Sequence, residues 1–362
     1  MRERDADDGV QKPLDDTASL GRERFQSREL TKVLSHWDLG VISEIREYRH
    51  GSRRSPKLRI AAELGDFLLK RKAGGHREDR AQCCHALQIE AERAGVPVAA
   101  LVPRRNGRTL LAFDGRLYEC FRWIPGTRYI RRPEQARNAG IALARLHAAF
   151  AGHAGHDELP EGGFSDTETV RAQLARALER TREAGAAAAA DLDAVASRLH
   201  AALDRVESKL VARGHPLERP EICHGDFHSG NTLWNDDTLA AVIDFDSARR
   251  ESHAAEIANA ALHFAMRPRR SDAPDSWAVA LDADCLRGFM QGYFAFPPID
   301  PDRIGPMVPW LMQAAVIAET AAPIARDGDF AGIPALPILR YAADVNEWIA
   351  ARSRAISDTT RQ

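Results

Sequence analysis

Apolar and polar side chains alternate in five short runs between Asp38 and Gly126: "ISEIREYR", "KLRIAAEL", "DFLLKRK", "RTLLAFDG" and "RLYECFRWI". A period of two broken at Gly51, Gly65, Gly107 and Gly115 predicts short strands joined by turns. One segment departs from it. Arg77–Ala94 lies between Gly74-Gly75 and Gly95 with Pro97, which are helix stop signals, and predicts a helix. The first third of the chain therefore reads as a small antiparallel sheet carrying one helix.

Beyond Gly126 the period lengthens. In "PEQARNAGIALARLHAAFAGH" apolar residues recur every three or four positions (Ile141, Leu143, Ala144, Leu146, Phe150), the pattern of a buried helix. "TETVRAQLARALERTREAG" and "DLDAVASRLHAALDRVESKL" continue it as a helical hairpin around the alanine run 186–190. Three further helical runs are predicted at about 276–294, 302–325 and 334–356, divided by "FPPIDP" and "RDGDFAGIP". No repeat of 20 to 50 residues is present, which removes solenoids and propellers. The expectation is an α+β chain of two unlike lobes, 28–125 and 126–356, preceded by a loose charged arm at 1–27.

Composition narrows the partners. Lys plus Arg number 50 and Asp plus Glu 52, a net charge of -2, so no global field draws the chain to nucleic acid or an anionic membrane. The five cysteines follow no framework spacing, and the adjacent pair Cys83-Cys84 suits no ordinary disulfide, so they read as reduced thiols. With no apolar signal-like run near the start and none of membrane-spanning length later, the default address is cytoplasmic. The oligomeric state is left open.

The chemistry concentrates in "CHGDFHSGNTLWNDDTLAAVIDFDSAR", residues 223–249. His224, Asp226, His228 and Asn231 share one loop, and the apolar run Leu239–Ile243 is a short buried strand ending in Asp244 and Asp246. A strand-end carboxylate close to a loop asparagine makes an oxygen-rich pair suited to Mg²⁺, with Asn231 and Asp244 as the ligands. Asp226, five residues before Asn231, then lies near the metal yet is free to orient an attacking hydroxyl or take its proton. A rival reading gives His224, Asp226 and His228 to Zn²⁺ and a hydrolase. Spacing favours phosphoryl transfer: residues 224–231 match the kinase pattern H-R-D-L-x-x-x-N, and Asp244-Phe245-Asp246 matches D-F-G.

"HGDFHSGN" followed by "IDFD" resembles the aminoglycoside phosphotransferase and choline kinase group, with homoserine kinases and spore-coat kinase-like proteins. The likeness extends in layout over about 38–350. It implies a two-lobed protein-kinase-like fold with MgATP in the cleft, and transfer of the γ-phosphoryl group to a hydroxyl of a small-molecule acceptor. Carried over by position, Asp226 is the catalytic aspartate, Asn231 and Asp244 the Mg²⁺ ligands with Asp246 beside them, and His224 the brace of the loop. His228 stands where small-molecule kinases of this group often have histidine. Lys70 of "GDFLLKRK" matches the phosphate-binding lysine, with Lys72 the fallback, and "RWIPG" sets Arg122, Trp123 and Ile124 beside the adenine.

Two departures stand out. "RHGSRRSPK" holds one glycine, Gly51, so phosphate contacts fall to Ser52, backbone amides or the cluster Arg49, His50, Arg53, Arg54 and Lys57. The helix offers Glu78, Glu90 and Glu92 to pair with Lys70, none at the usual spacing. These departures motivate a second reading, a nucleotide-binding pseudokinase without turnover. His147 and His263 read as core histidines, and Glu256 as a carboxylate at a helix start. Acceptor choice belongs to about 151–215 and the C-terminal helices, which point clearly neither to a polycation nor to choline.

Overall fold

The structure, a computed structural model, describes residues 22–49, 51–153, 158–185, 189–215, 220–267, 273–296 and 300–360. By internal contacts the chain divides into two compact units: residues up to Glu78 with Leu101–Trp123, and Asp79–Ala100 with Ile124 onward.

The smaller unit holds helix α1 (Ser27–Leu34) and strands β1 (Ile42–Tyr48), β2 (Lys57–Ala62), β3 (Gly65–Arg71), β4 (Leu110–Phe113) and β5 (Arg116–Arg122). They form one antiparallel sheet in the order β1-β2-β3-β5-β4. The alternation read from the sequence puts Leu58, Ile60, Phe67, Leu69, Tyr118 and Cys120 on one face, against Val33 and Trp37. Trp37 fixes its orientation by donating its indole N–H to the Val102 carbonyl at 2.9 Å. Of the expected loose arm, residues 1–21 lie outside the described residues, and 22–27 are held to the sheet. The buried Arg71 guanidinium draws them in, bonding Glu23 and Glu29 at 2.7 Å each and facing the Phe25 ring.

The larger unit contains α2 (Glu78–Arg93) apart from its first residue, then α3 (Pro133–Phe150), α4 (Thr167–Glu183) and α5 (Ala189–Val211). Short strands β6 (Glu221–Cys223), β7 (Thr232–Asn235), β8 (Thr238–Val242) and β9 (Arg249–Glu251) follow. The rest is helical: α6 (His253–Ala265), α7 (Ala283–Phe294), α8 (Pro301–Ile304), α9 (Val308–Asp327), α10 (Ala335–Ala351) and α11 (Ser353–Asp358). Although the sequence reading gave α2 to the first lobe, the helix is tied to the larger unit. Gln88 donates to the Ala99 carbonyl, Glu90 pairs with His153 at 2.9 Å, and Val98 bridges Val242.

The predicted C-terminal helices exist but are cut differently. The 276–294 run is helical only from Ala283, because Leu281 bridges Met266 and Asp282 caps the helix through the amides of Asp284 and Cys285. The 302–325 run breaks into α8 and α9, and the 334–356 run into α10 and α11. Helix α9 is the one described helix long and apolar enough to cross a membrane, yet its side chains are largely buried among α4, α5, α6 and α10.

Candidate active site

Strands β6 and β9 pair antiparallel, with Cys223 opposite Arg249, so the loop leaving β6 faces the turn entering β9. The β7–β8 hairpin lies between them in sequence, with Thr232 opposite Val242. One step further the ladder continues, as Ile243 donates its N–H to the Asn231 carbonyl at 3.0 Å, which brings Asn231 and Asp244 side by side. Gly225 (φ 77°) is required on two counts. Its backbone is left-handed, and a side chain there would run into the Ser247 carbonyl across the loop. Asp244 is also left-handed (φ 66°), a position few non-glycine residues take and one found at functional sites.

Asp226 stands at the end of this loop with its side chain 42% exposed. Asn231 gives both amide hydrogens to it, one to the Asp226 backbone carbonyl at 3.0 Å and one to Oδ2 at 2.8 Å. His228 Nε2 lies 3.5 Å from the same oxygen. Burial works against charge on Asp226, but the His228 ring, the His224 ring and the Asn231 amide outweigh it and hold the carboxyl below the ordinary range. Conversely, burial lowers the His228 pKa, but Asp226, then Glu319 and Asp244, leave it raised.

Glu256 of α6 braces the loop from behind. Its buried carboxylate accepts the backbone N–H groups of His224 (3.1 Å) and Gly225, and lies 2.7 Å from His147 Nε2. The Tyr293 hydroxyl is 2.7 Å from His147 Nδ1. Burial, then the neighbouring His253, push His147 down to about 4, whereas these same bonds hold Glu256 at about 2 against its burial. The pair is therefore a neutral imidazole on a carboxylate, which fixes Nε2–H as donor and Nδ1 as acceptor. The fully buried His224 turns Nδ1 toward the Asp226 amide at 3.3 Å and adds to the brace.

The oxygen donors suit a hard divalent cation. With Asn231 Nδ2 committed to Asp226, the amide oxygen points the other way, and Asp244 is the adjacent carboxylate. Zinc chemistry is not what the histidines serve: His224 is sealed from solvent, and His228 Nδ1 accepts the Gly230 N–H at 2.9 Å. A second cluster, His147, Cys223 and His253, brings ligand atoms within 4.8 Å of one another. Its groups are already engaged by Glu256, Tyr293 and Glu221, and burial pushes the Cys223 thiol well up.

In front of Asp226 opens a cleft of about 840 Å³ within the larger unit. The chain at 160–166, β9, His263 of α6 and Glu319 of α9 form its walls. The 160–166 segment is fastened to β9: Arg250 donates its N–H to the Pro160 carbonyl at 2.8 Å, Gly162 donates to the Arg250 carbonyl at 3.0 Å, and Glu251 accepts the Ser165 amide. His263 binds both Glu319 oxygens, at 2.6 and 2.8 Å, and its ring faces His228 at 5.4 Å. It is therefore a cleft residue rather than the core histidine expected from its apolar helix.

The sequence model of the phosphotransferase enzyme family matches residues 44–305. The chain belongs to that family. Similar proteins include the homoserine kinases of Bradyrhizobium diazoefficiens, 27% identical over 233 residues, and Caulobacter vibrioides, 27% over 239. These alignments cover 64% of this chain and 66% and 68% of theirs. Among solved structures, the fold resembles a microcompartment-associated aminopropanol kinase (TM-score 0.67, 16% identity, 92% of this chain and 99% of that one). It also resembles an amicoumacin kinase bound to AMP-PNP and Ca²⁺ (0.62, 13%, 93% and 94%) and an aminoglycoside phosphotransferase of Alicyclobacillus acidocaldarius (0.61, 17%, 92% and 95%). The expected protein-kinase-like fold is thus confirmed, and the class of reaction is that of the phosphotransferase family, ATP-dependent transfer to a small molecule.

Of the other predicted site residues of this phosphotransferase, Lys70, Lys72, Ser52, Arg122 and Trp123 belong to the smaller unit, and Ile124 and Asp246 to the larger. Lys70 and Lys72, both buried, reach one carboxylate, Glu119 of β5, at 3.2 and 2.8 Å. Glu119 is directly opposite Lys70 in the β3–β5 register. Sequence reasoning sought that partner on the helix and missed it, although the alternation in "RLYECFR" puts Glu119 on the face that Lys70 shares, opposite Tyr118 and Cys120. Arg122 donates to the Leu64 carbonyl at 2.6 Å and packs on Phe67, so its guanidinium serves the β2–β3 turn. Trp123 lies between Tyr48 and Arg59, Ile124 begins the larger unit, and Ser52 accepts the Arg54 amide in an exposed turn. Asp246 offers its carbonyl to Arg80 at 3.1 Å. His50 lies outside the described residues. Glu256 is the second miss: read as a helix-start charge, it is the centre of the brace.

Proposed function

We propose that the protein transfers the γ-phosphoryl group of MgATP to a hydroxyl of a small acceptor seated in the cleft before Asp226. The single observation that carries this reading is Asp226 itself, held ionised at the cleft wall and locked to Asn231 by two hydrogen bonds. An ionised carboxylate so placed aligns the acceptor O–H and takes its proton as the phosphoryl group transfers. Asn231 and Asp244, with Asp246 beside them, would hold the metal, whose chemistry is to neutralise charge on the nucleotide phosphates. Lys70, supported by Glu119, would hold the phosphates from the smaller unit. The similar homoserine kinases put hydroxyl-bearing amino acids first among acceptors to try.

The test is Mg²⁺-dependent ADP release by wild type and Asp226→Asn over homoserine, amino alcohols, sugars and aminoglycosides. Acceptor-stimulated turnover should fall about 10²- to 10⁴-fold in the variant while its affinity for ATP stays within about threefold. Tight ATP binding with no stimulation by any acceptor would instead support a pseudokinase.

A further inference from the structure

The charges around the cleft are unevenly satisfied. Its acidic residues are nearly all engaged: Glu161 pairs with Arg250 at 2.6 Å, Asp166 caps α4 through Thr169, and Glu319 binds His263. Asp226 is held by Asn231 and His228. Of the arginines, Arg326 pairs with Asp327. Arg80 and Arg249 are different. Each lines the cleft and anchors one N–H on a backbone carbonyl of the turn after Phe245, Arg80 on Asp246 at 3.1 Å and Arg249 on Ser247 at 3.2 Å. Among the described residues neither has a carboxylate within 4.0 Å, and the Arg80 Nε is buried without a hydrogen-bond partner. Two guanidinium groups thus hang from consecutive carbonyls, and Arg249 Nε lies against Gly225, next to Asp226 in the chain.

A planar guanidinium with free N–H groups is a ready partner for a carboxylate, and two together form a fork that a neutral or cationic ligand would leave unpaired. A polycationic acceptor would find each carboxylate of this cleft already engaged, by a helix cap, an arginine, a histidine or, for Asp226, Asn231 and His228. We propose that the acceptor carries a carboxylate, held by Arg80 and Arg249 while its hydroxyl lies at Asp226. This deepens the phosphotransferase reading above and rests on it. The hydroxyl and the carboxylate must then be only a few bonds apart, since Arg249 and Asp226 flank the same glycine.

The experiment compares acceptors that differ only in the carboxylate: homoserine against 3-amino-1-propanol, and L-serine against ethanolamine. In wild type the carboxylate-bearing member of at least one pair should be preferred by about 30-fold or more in kcat/KM, since leaving two arginines unpaired is costly. Arg249→Gln and Arg80→Gln should each lower kcat/KM for that acceptor about 30- to 100-fold, hardly change its partner, and leave the KM for ATP within about threefold. Arg249→Lys should recover part of the preference, because it restores charge without the fork. Equal use of both members by wild type overturns the proposal. So does an equal loss on both acceptors with a raised KM for ATP, which would give the arginines to the nucleotide phosphates. Absence of turnover on all four compounds and on the wider panel is failure of the kinase reading instead. Calorimetry in the presence of AMP-PNP then decides: carboxylate-dependent binding that Arg249→Gln abolishes upholds the arginine site, and its absence overturns it.

Discussion

Asn231 spends both amide hydrogens on Asp226, and that leaves a single orientation for its oxygen. The residue proposed to meet the acceptor is thereby bonded directly to a proposed metal ligand. Glu119 has a comparable economy in the smaller unit, where one carboxylate holds two buried ammonium groups. Removing its charge takes one ion pair from each of the two lysines, and a buried cation that loses an ion pair is costly. Glu119→Gln should lower stability by about 3 kcal/mol or more and raise the KM for ATP more than it lowers kcat. Thermal denaturation and steady-state kinetics check this together. An unchanged KM for ATP would remove Glu119 from any part in nucleotide binding.

At the scale of elements, the loop proposed to carry catalysis depends on close passage of two segments of the chain. Gly225 lets β6 exit past the Ser247 carbonyl, and Glu256 ties the passing backbone to α6. Gly225→Ala should therefore cost about 2 kcal/mol or more and impair turnover on every acceptor alike, since it displaces Asp226 rather than any one contact. Glu256→Gln keeps the shape but loses charge-assisted bonds to two amides. Its turnover should fall at least tenfold with little change in the KM for either substrate. The loop itself was legible because its chemistry is local, with His224, Asp226, Asn231 and Asp244 falling in one register of 21 residues. The strands were legible too, through the alternation that buries Leu58, Ile60, Phe67 and Leu69. Glu119 and Glu256 were not, because the first is identified by cross-strand register and the second by packing of α6 behind a loop 30 residues earlier. The breaks before α7 and between α8 and α9 were hidden for a like reason: a bridge to Met266 and a side-chain cap decide the first, not periodicity.

Over the whole molecule, the brace makes stability depend on pH in one direction. His147 stays neutral in the fold down to about 4, whereas the unfolded chain takes up its proton near 6.5. Between these values the unfolded state binds more protons, so stability is full above the upper value and is lost as pH falls through the window. Glu256 acts likewise lower down, from its ordinary 4.5 to about 2. The melting temperature should therefore decline steadily from pH 6.5 to 4 and steepen below that. A melting curve that stays flat from 6.5 to 4 contradicts a neutral His147.

The wall at 160–166 has a consequence for how such a chain can change its diet. Two of the bonds that hang it on β9 are main chain to main chain, the Arg250 N–H to the Pro160 carbonyl and the Gly162 N–H to the Arg250 carbonyl, beside the Glu251 carboxylate on the Ser165 amide and the Glu161–Arg250 ion pair. Main-chain bonds do not care which side chains ride on them. Phe164, and Glu161 at the loss of its ion pair with Arg250, can thus be exchanged for other residues while the main-chain part of the mount stays in place and the loop around Asp226 keeps its geometry. On the proposed reading, new acceptors become reachable by rewriting part of one short segment, with the loop around Asp226 inherited unaltered.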